Sequence, residues 1–152
     1  MAASDVALES AVELAETQLL AQSSRIDALD LKAFALLGLD AALVAALLAA
    51  KGDLGRHWWV AMIGIGISVF FGGAAAVGTT NGLKQGPEPE EFYLSKPWTS
   101  DTQFLSELLT WLQSSLKSNV AFESSKRTLV SAGATFLVLT GVYSTFVFAF
   151  WR

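Results

Sequence analysis

Three apolar runs, residues 33–50, 58–79 and 129–151, limit what this chain can become more than any other feature. Between them they hold one charged side chain, Asp40. Each is about as long as the roughly 20 residues a helix needs to cross a bilayer. The flanks agree with that reading. His57, Trp58 and Trp59 open the second run and Trp151-Arg152 closes the third, where amphipathic rings and cations favour the headgroup layer. A soluble bundle of buried helices is the competing fold. It suits the composition poorly: 16 % of residues are charged, against about a quarter in ordinary soluble domains. The expectation is an all-α membrane protein with three transmembrane helices, two of them extended into the cytoplasm as long helices.

The first thirty residues contain Asp5, Glu9, Glu13 and Glu16 rather than a basic start followed by an apolar run, so no signal peptide is expected. With no cysteine there is no disulfide, thiolate nucleophile or cysteine-based metal site. No basic stripe suggests a nucleic-acid polymer as partner. Orientation follows the lysines and arginines. Arg25, Lys32, Lys84, Lys96, Lys117, Lys126 and Arg127 fall on one side, and Lys51, Arg56 and Arg152 on the other, seven against three. This predicts residues 1–32 as a cytoplasmic amphipathic helix continuing into the membrane. A first span over 33–50, an external turn over 51–57 and a second span over 58–79 follow. Next come a cytoplasmic Pro/Gly/aromatic loop over 80–99, a cytoplasmic helix over 100–127 and a third span over 128–151. The N-terminus is cytoplasmic and the membrane is the inner membrane of a cell.

The first helix carries apolar residues at Leu8, Val12, Ala15, Leu19, Ile26 and Leu29, with Gln22 in the same row. Steps of alternately three and four make a heptad seam, the coiled-coil pattern of a helix packing along a partner. An amphipathic helix lying on the bilayer would favour Lys and Arg on its polar face, and this one is acidic. Extended, the seam runs through Ala33, Leu36, Asp40, Leu43 and Leu47, so Asp40 shares the face already committed to another helix. A central Asp costs about 2.5 to 3.5 kcal/mol on insertion scales and each Leu returns roughly 0.3 to 0.6. The run therefore still inserts, but lipid is the wrong place for the carboxylate; a helix interface, a wet cavity or a pore is the default. The hydroxyls available to it are Ser68, Thr79 and Thr80 on the second run, and Ser131, Thr135, Thr140, Tyr143, Ser144 and Thr145 on the third. In a homo-oligomer Asp40 is then expected neutral and hydrogen-bonded, or exposed to a wet central pore.

In the second run, Gly72 with Ala76 and Ala74 with Gly78 are small residues four apart, which lets helices approach closely. Gly64-Ile65-Gly66 lacks the strand and spacing of a nucleotide loop. Pro87, Pro89 and Pro97 with Gly82 and Gly86 forbid a long helix over 80–98. Phe92, Tyr93 and Trp98 in that loop either pack on the helices and bilayer surface or form a platform for a ligand or partner. Glu88, Glu90 and Glu91 there read as a solvated acidic loop. Ser100 and Gln103 form a capping box after Pro97. Leu105, Leu109, Leu112, Leu116 and Val120 then share a helical face, and nothing breaks the helix before the third run. Lys126 and Arg127 stand where it enters the membrane, as snorkelling anchors or phospholipid contacts. The single histidine, His57, has no triad or metal partners at a recognisable spacing. No enzyme and no cofactor are expected.

At RIDALDLKAFALLGLDAALVAALLA, with SKRTLVSAGATFLVLTGV before the last span, the chain resembles the small membrane proteins of the bacterial Pycsar and CBASS antiphage systems. The similarity lies in the layout and in an acidic residue followed by Lys-Ala at membrane entry, matched here by Asp27, Lys32 and Ala33. It implies an antiviral-defence effector that oligomerises on a nucleotide signal and impairs the inner membrane. No cyclic-nucleotide-binding motif accompanies it, and nothing catalytic comes with the matched residues. The sequence thus leaves two functions: a self-associating membrane effector, or a structural or accessory subunit of a larger membrane complex.

Overall fold

Residues 3–77 and 100–150 are described by a computed structural model; the expectations for 78–99, with Thr79, Thr80, Phe92, Tyr93 and Trp98, lie outside them. All regular structure among the described residues is helical. Helix α1 spans Ala3–Ala49, a short α2 Lys51–Leu54, a 3-10 turn Gly55–His57, α3 Trp58–Val77 and α4 Asp101–Phe150. Helices α1, α3 and α4 are long and apolar enough to cross a membrane.

Local chemistry explains the boundaries. No proline interrupts α1 or α4, so each runs on as one helix, 47 and 50 residues long. Each holds more than twice the roughly 20 residues that a membrane-crossing helix needs. The helix expected over 100–127 and the span expected over 128–151 form one continuous helix, as the absence of any breaker between them predicts. Ser100 caps α4 as its spacing predicts: the Gln103 backbone N–H donates to Ser100 Oγ at 3.3 Å. The stretch expected as a plain turn over 51–57 is itself helical, and the reversal falls at Gly55. Its φ of 51° with ψ of −128° is a combination that essentially only glycine adopts.

The chain forms two compact units, Met1–Ile26 with Gly82–Glu123, and Asp27–Asn81 with Ser124–Arg152. In the first, Val12, Ala15 and Leu112 make a core on which Leu105, Leu108, Leu109 and Leu116 pack. Leu19, Gln22 and Ile26 are buried in the same row, and Gln22 Nε2 donates to the Leu116 carbonyl at 3.3 Å. One sequence expectation is corrected here. Val120 is 59 % exposed while Asn119 is buried. From Leu116 the covered row takes a step of three, not four, and lands on a polar residue that a search for apolar periodicity passes over.

In the second unit, buried positions on α1 are Leu29, Ala33, Leu36, Asp40 and Leu47, still in steps of three, four and seven. On α3 they are Ala61, Ile65, Ser68, Gly72 and Ala75, again alternating four and three. On α4, Lys126, Gly133, Thr140 and Val147 are buried, one every seventh residue. Leu47, Ala61, Ile65 and Val147 share one cluster. The last turns of α1 and α4 thus meet the first turns of α3, so that α1 and α4 run parallel and α3 antiparallel to both.

Serine at both Leu19 and Ile26 is expected to lower the thermal midpoint followed by circular dichroism in detergent, losing about 2 to 5 kcal/mol per buried side chain. Serine at the exposed Glu13 and Glu16 is expected to shift stability by less than about 0.5 kcal/mol each. Equal shifts from the two pairs would refute the buried row.

Candidate functional site

The second unit is built around a polar contact. The α1 row carries Asp40, 1 % exposed, and the α3 row carries Ser68, 0 % exposed. Ser68 Oγ lies 3.0 Å from Asp40 Oδ2 and 3.0 Å from the Gly133 carbonyl oxygen on α4. One hydroxyl therefore links three helices. Gly133 is what lets α4 come so close. A Cβ there would strike the end of the Leu36 side chain and sit 3.3 Å from Ser68 O, so a larger residue would require Leu36 to repack and the helices to ease apart slightly.

Ser68 has one hydrogen to give and two acceptors in reach. When that hydrogen goes to Gly133 O, the bond to Asp40 needs a hydrogen from the Asp40 side, which a neutral carboxylic acid has and a carboxylate lacks. The other carboxyl oxygen, Oδ1, is buried without a hydrogen-bond partner. Chemically, the arrangement can hold a proton between Asp40 and Ser68. Among the described residues no group of three or more His, Asp or Glu side chains is placed to hold a metal ion.

Lys126, two turns before Gly133 on α4, is only 3 % exposed and forms an ion pair with Asp30 of α1, whose side chain is 21 % exposed. Its sequence neighbour Arg127 points outward, into a shallow groove with Thr128, Ser131, Thr135 and Phe136. At the other end of the unit, His57 Nδ1 and the Tyr143 hydroxyl are 2.9 Å apart. Lys51 Nζ stands 4.7 Å over the Trp58 ring, a cation–π contact.

Of the residues singled out by sequence, Leu19, Gln22, Ile26 and Asp40 are buried, Asp27, Lys32 and Arg127 are exposed, and Lys126 is buried. Among the described residues, Ser68 is the candidate hydroxyl that meets Asp40. Sequence reasoning missed Gly133, Asp30 and the His57–Tyr143 contact. The α3 row of small and apolar residues at 61, 65, 68, 72 and 75 was the readable signal for Ser68. Comparison with known protein families, with curated proteins and with solved structures found no match.

Two thermodynamic cycles test this geometry. Asn at position 40 can donate to Ser68 while Ser68 donates to Gly133, so Asp40→Asn is expected to melt within about 1 kcal/mol of wild type. Ser68→Ala is expected to cost about 1 to 3 kcal/mol with Asp40 present and clearly less in an Asp40→Leu background; additive effects would show that the two side chains do not interact. For the ion pair, Lys126→Met or Asp30→Leu alone is expected to cost about 3 kcal/mol, and the double replacement less than either single one.

Proposed function

We propose that this chain is an integral membrane protein whose second unit is embedded in lipid, and that it acts by self-association rather than by catalysis. The observation that carries the first part is the inversion of polarity in that unit. Its buried contacts include Asp40, Ser68, Lys126 and Thr140, while Phe34, Trp59, Ile63, Phe70, Val138 and Phe150 stand exposed. A protein in water does the reverse; in hydrocarbon, apolar side chains face out and polar groups are satisfied inside.

Self-association is supported by the first unit. Val6, Leu14, Leu20, Trp111 and Val120 are exposed there beside Glu13, Glu16 and Lys117, apolar side chains whose burial against another chain would favour association. The effector reading rests on the layout shared with antiphage membrane proteins: an N-terminal helix, two closely spaced spans and a last span entered through basic residues. On it, the assembled chain perturbs the inner membrane in response to a signal. The second reading, an accessory subunit of a larger membrane complex, takes the same exposed residues as the contact for a different protein. Residues 84–100 are assigned to the cytoplasm and 51–56 to the outside.

Cross-linking and mass measurement of the purified protein in detergent is expected to give one defined homo-oligomer; a monomer would favour the accessory-subunit reading. Labelling of single cysteines, with no native thiol to compete, is expected from outside at position 53 and from inside at position 100. A position-53 cysteine labelled only from the cytoplasm would overturn the topology.

A further inference from the structure

In the second unit, α1 has a second face that no other described residue covers. Opposite the buried row lie Ala28, Ala35, Ala42 and Ala49, seven apart, with Leu31, Gly38 and Ala45 between them in steps of three and four. All seven are exposed. This is again the spacing of a helix-packing seam, here drawn almost entirely from the small residues that let membrane helices approach closely. Gly38 separates the face from those used internally. A Cβ at Gly133 strikes Leu36, whereas a Cβ at Gly38 meets nothing within 4 Å. Among the described residues, the gap left by the missing side chain is not filled. In the first unit the corresponding positions of α1, Ala7, Ser10, Leu14, Thr17, Ala21 and Ser24, are likewise exposed and uncharged. A helix whose outer face meets only water carries its charges there.

We infer that this face of α1 is the seam on which a second copy of this chain packs, with the two α1 helices parallel. The inference rests on the self-association proposed above and names the surface responsible. The charges beside the seam choose the occupant. Asp27 lies along one border and Lys32 along the other, both exposed and five residues apart. In a parallel pair of helices, a residue on one border faces the residue five positions further on in its partner. Asp27 then meets the partner's Lys32, and the symmetry of a dimer makes the pair twice. In an antiparallel pair like borders meet, and centred between them Arg25 would face the partner's Lys32, like charge against like. Two copies inserted into one membrane the same way round are parallel without further requirement. The sequence thus carries the charge pattern that its own duplicate, and only in that orientation, satisfies.

Oxidative cross-linking of single cysteines in membrane vesicles tests the seam, because the chain has no other thiol. Cysteine at Ala35 or Ala42 is expected to give a disulfide-linked dimer, and cysteine at Ile63 on α3 or Val138 on α4, both exposed, is not. Gly38→Leu fills open space within the chain, so melting and helicity are expected to stay as in wild type while dimer dissociation in detergent rises about tenfold or more. Asp27→Lys and Lys32→Asp are each expected to weaken the dimer, and the two together to restore it. A defined oligomer that cross-links through Ile63 or Val138 and ignores Gly38→Leu would overturn the seam and leave self-association standing. A protein that is monomeric by mass at every concentration would overturn both.

Discussion

Ser68 has a single hydroxyl hydrogen and stands 3.0 Å from an acceptor on each of two other helices. The rest of the second unit is arranged around that contact. For Asp40 and the Gly133 carbonyl to reach the same oxygen, α1, α3 and α4 must approach at one level, which is possible because Gly133 has no side chain in the space where Leu36 lies. Apolar packing then extends from this level to the cluster of Leu47, Ala61, Ile65 and Val147. In hydrocarbon there is no apolar advantage in helix against helix over helix against lipid, so close contact and polar contacts hold such helices together. With the second unit embedded in lipid as proposed, a hydroxyl bridging three helices adds a polar contact to the close packing on which such helices depend.

The polar residues also fix register. Buried positions on α4 recur every seven residues, at Lys126, Gly133, Thr140 and Val147. A slip of α4 by seven would keep that spacing intact, so spacing alone cannot exclude it. It would, however, take Lys126 away from Asp30 and bring either Lys126 or Thr140 to the level where the side chain of Leu36 fills the space beside Gly133. Such residues select one alignment among several with similar apolar burial, at some expense in stability.

This division explains how far the sequence could be read. The long first helix, its row from Leu8 to Leu47, the Ser100 cap and the unbroken helix from Asp101 were legible because each depends on residues within a turn or two of one another. Val120 was misassigned because the covered row continues through Asn119, and polarity hid it. Asp30, Gly133 and the pairing of His57 with Tyr143 were not legible, since each requires the alignment of helices far apart in the chain. Lys126 and Arg127 make the same point most sharply. As neighbours of like charge they read identically in sequence, yet one is sealed against Asp30 and the other faces out, a distinction set by the roughly 100° between successive residues on a helix.

The geometry also separates two roles that the sequence seemed to combine in Asp40. On the heptad, the row containing Asp40 and the row containing Gly38 and Ala42 lie on opposite sides of α1. A contact between copies made through the outer row leaves Asp40 facing its own α3, already bonded to Ser68 and 1 % exposed. Asp40 would then line a conducting path only if α3 moved away from α1 within one chain, breaking the bridge to Gly133 at the same moment. On the proposed assembly, contact between copies and separation of α3 from α1 fall on distinct faces of α1, the outer row for the first and the Asp40–Ser68 contact for the second. A signal that acts on assembly need not touch the buried carboxyl at all, whereas one that opens a path through the helices must first compete with a hydrogen bond held out of reach of water.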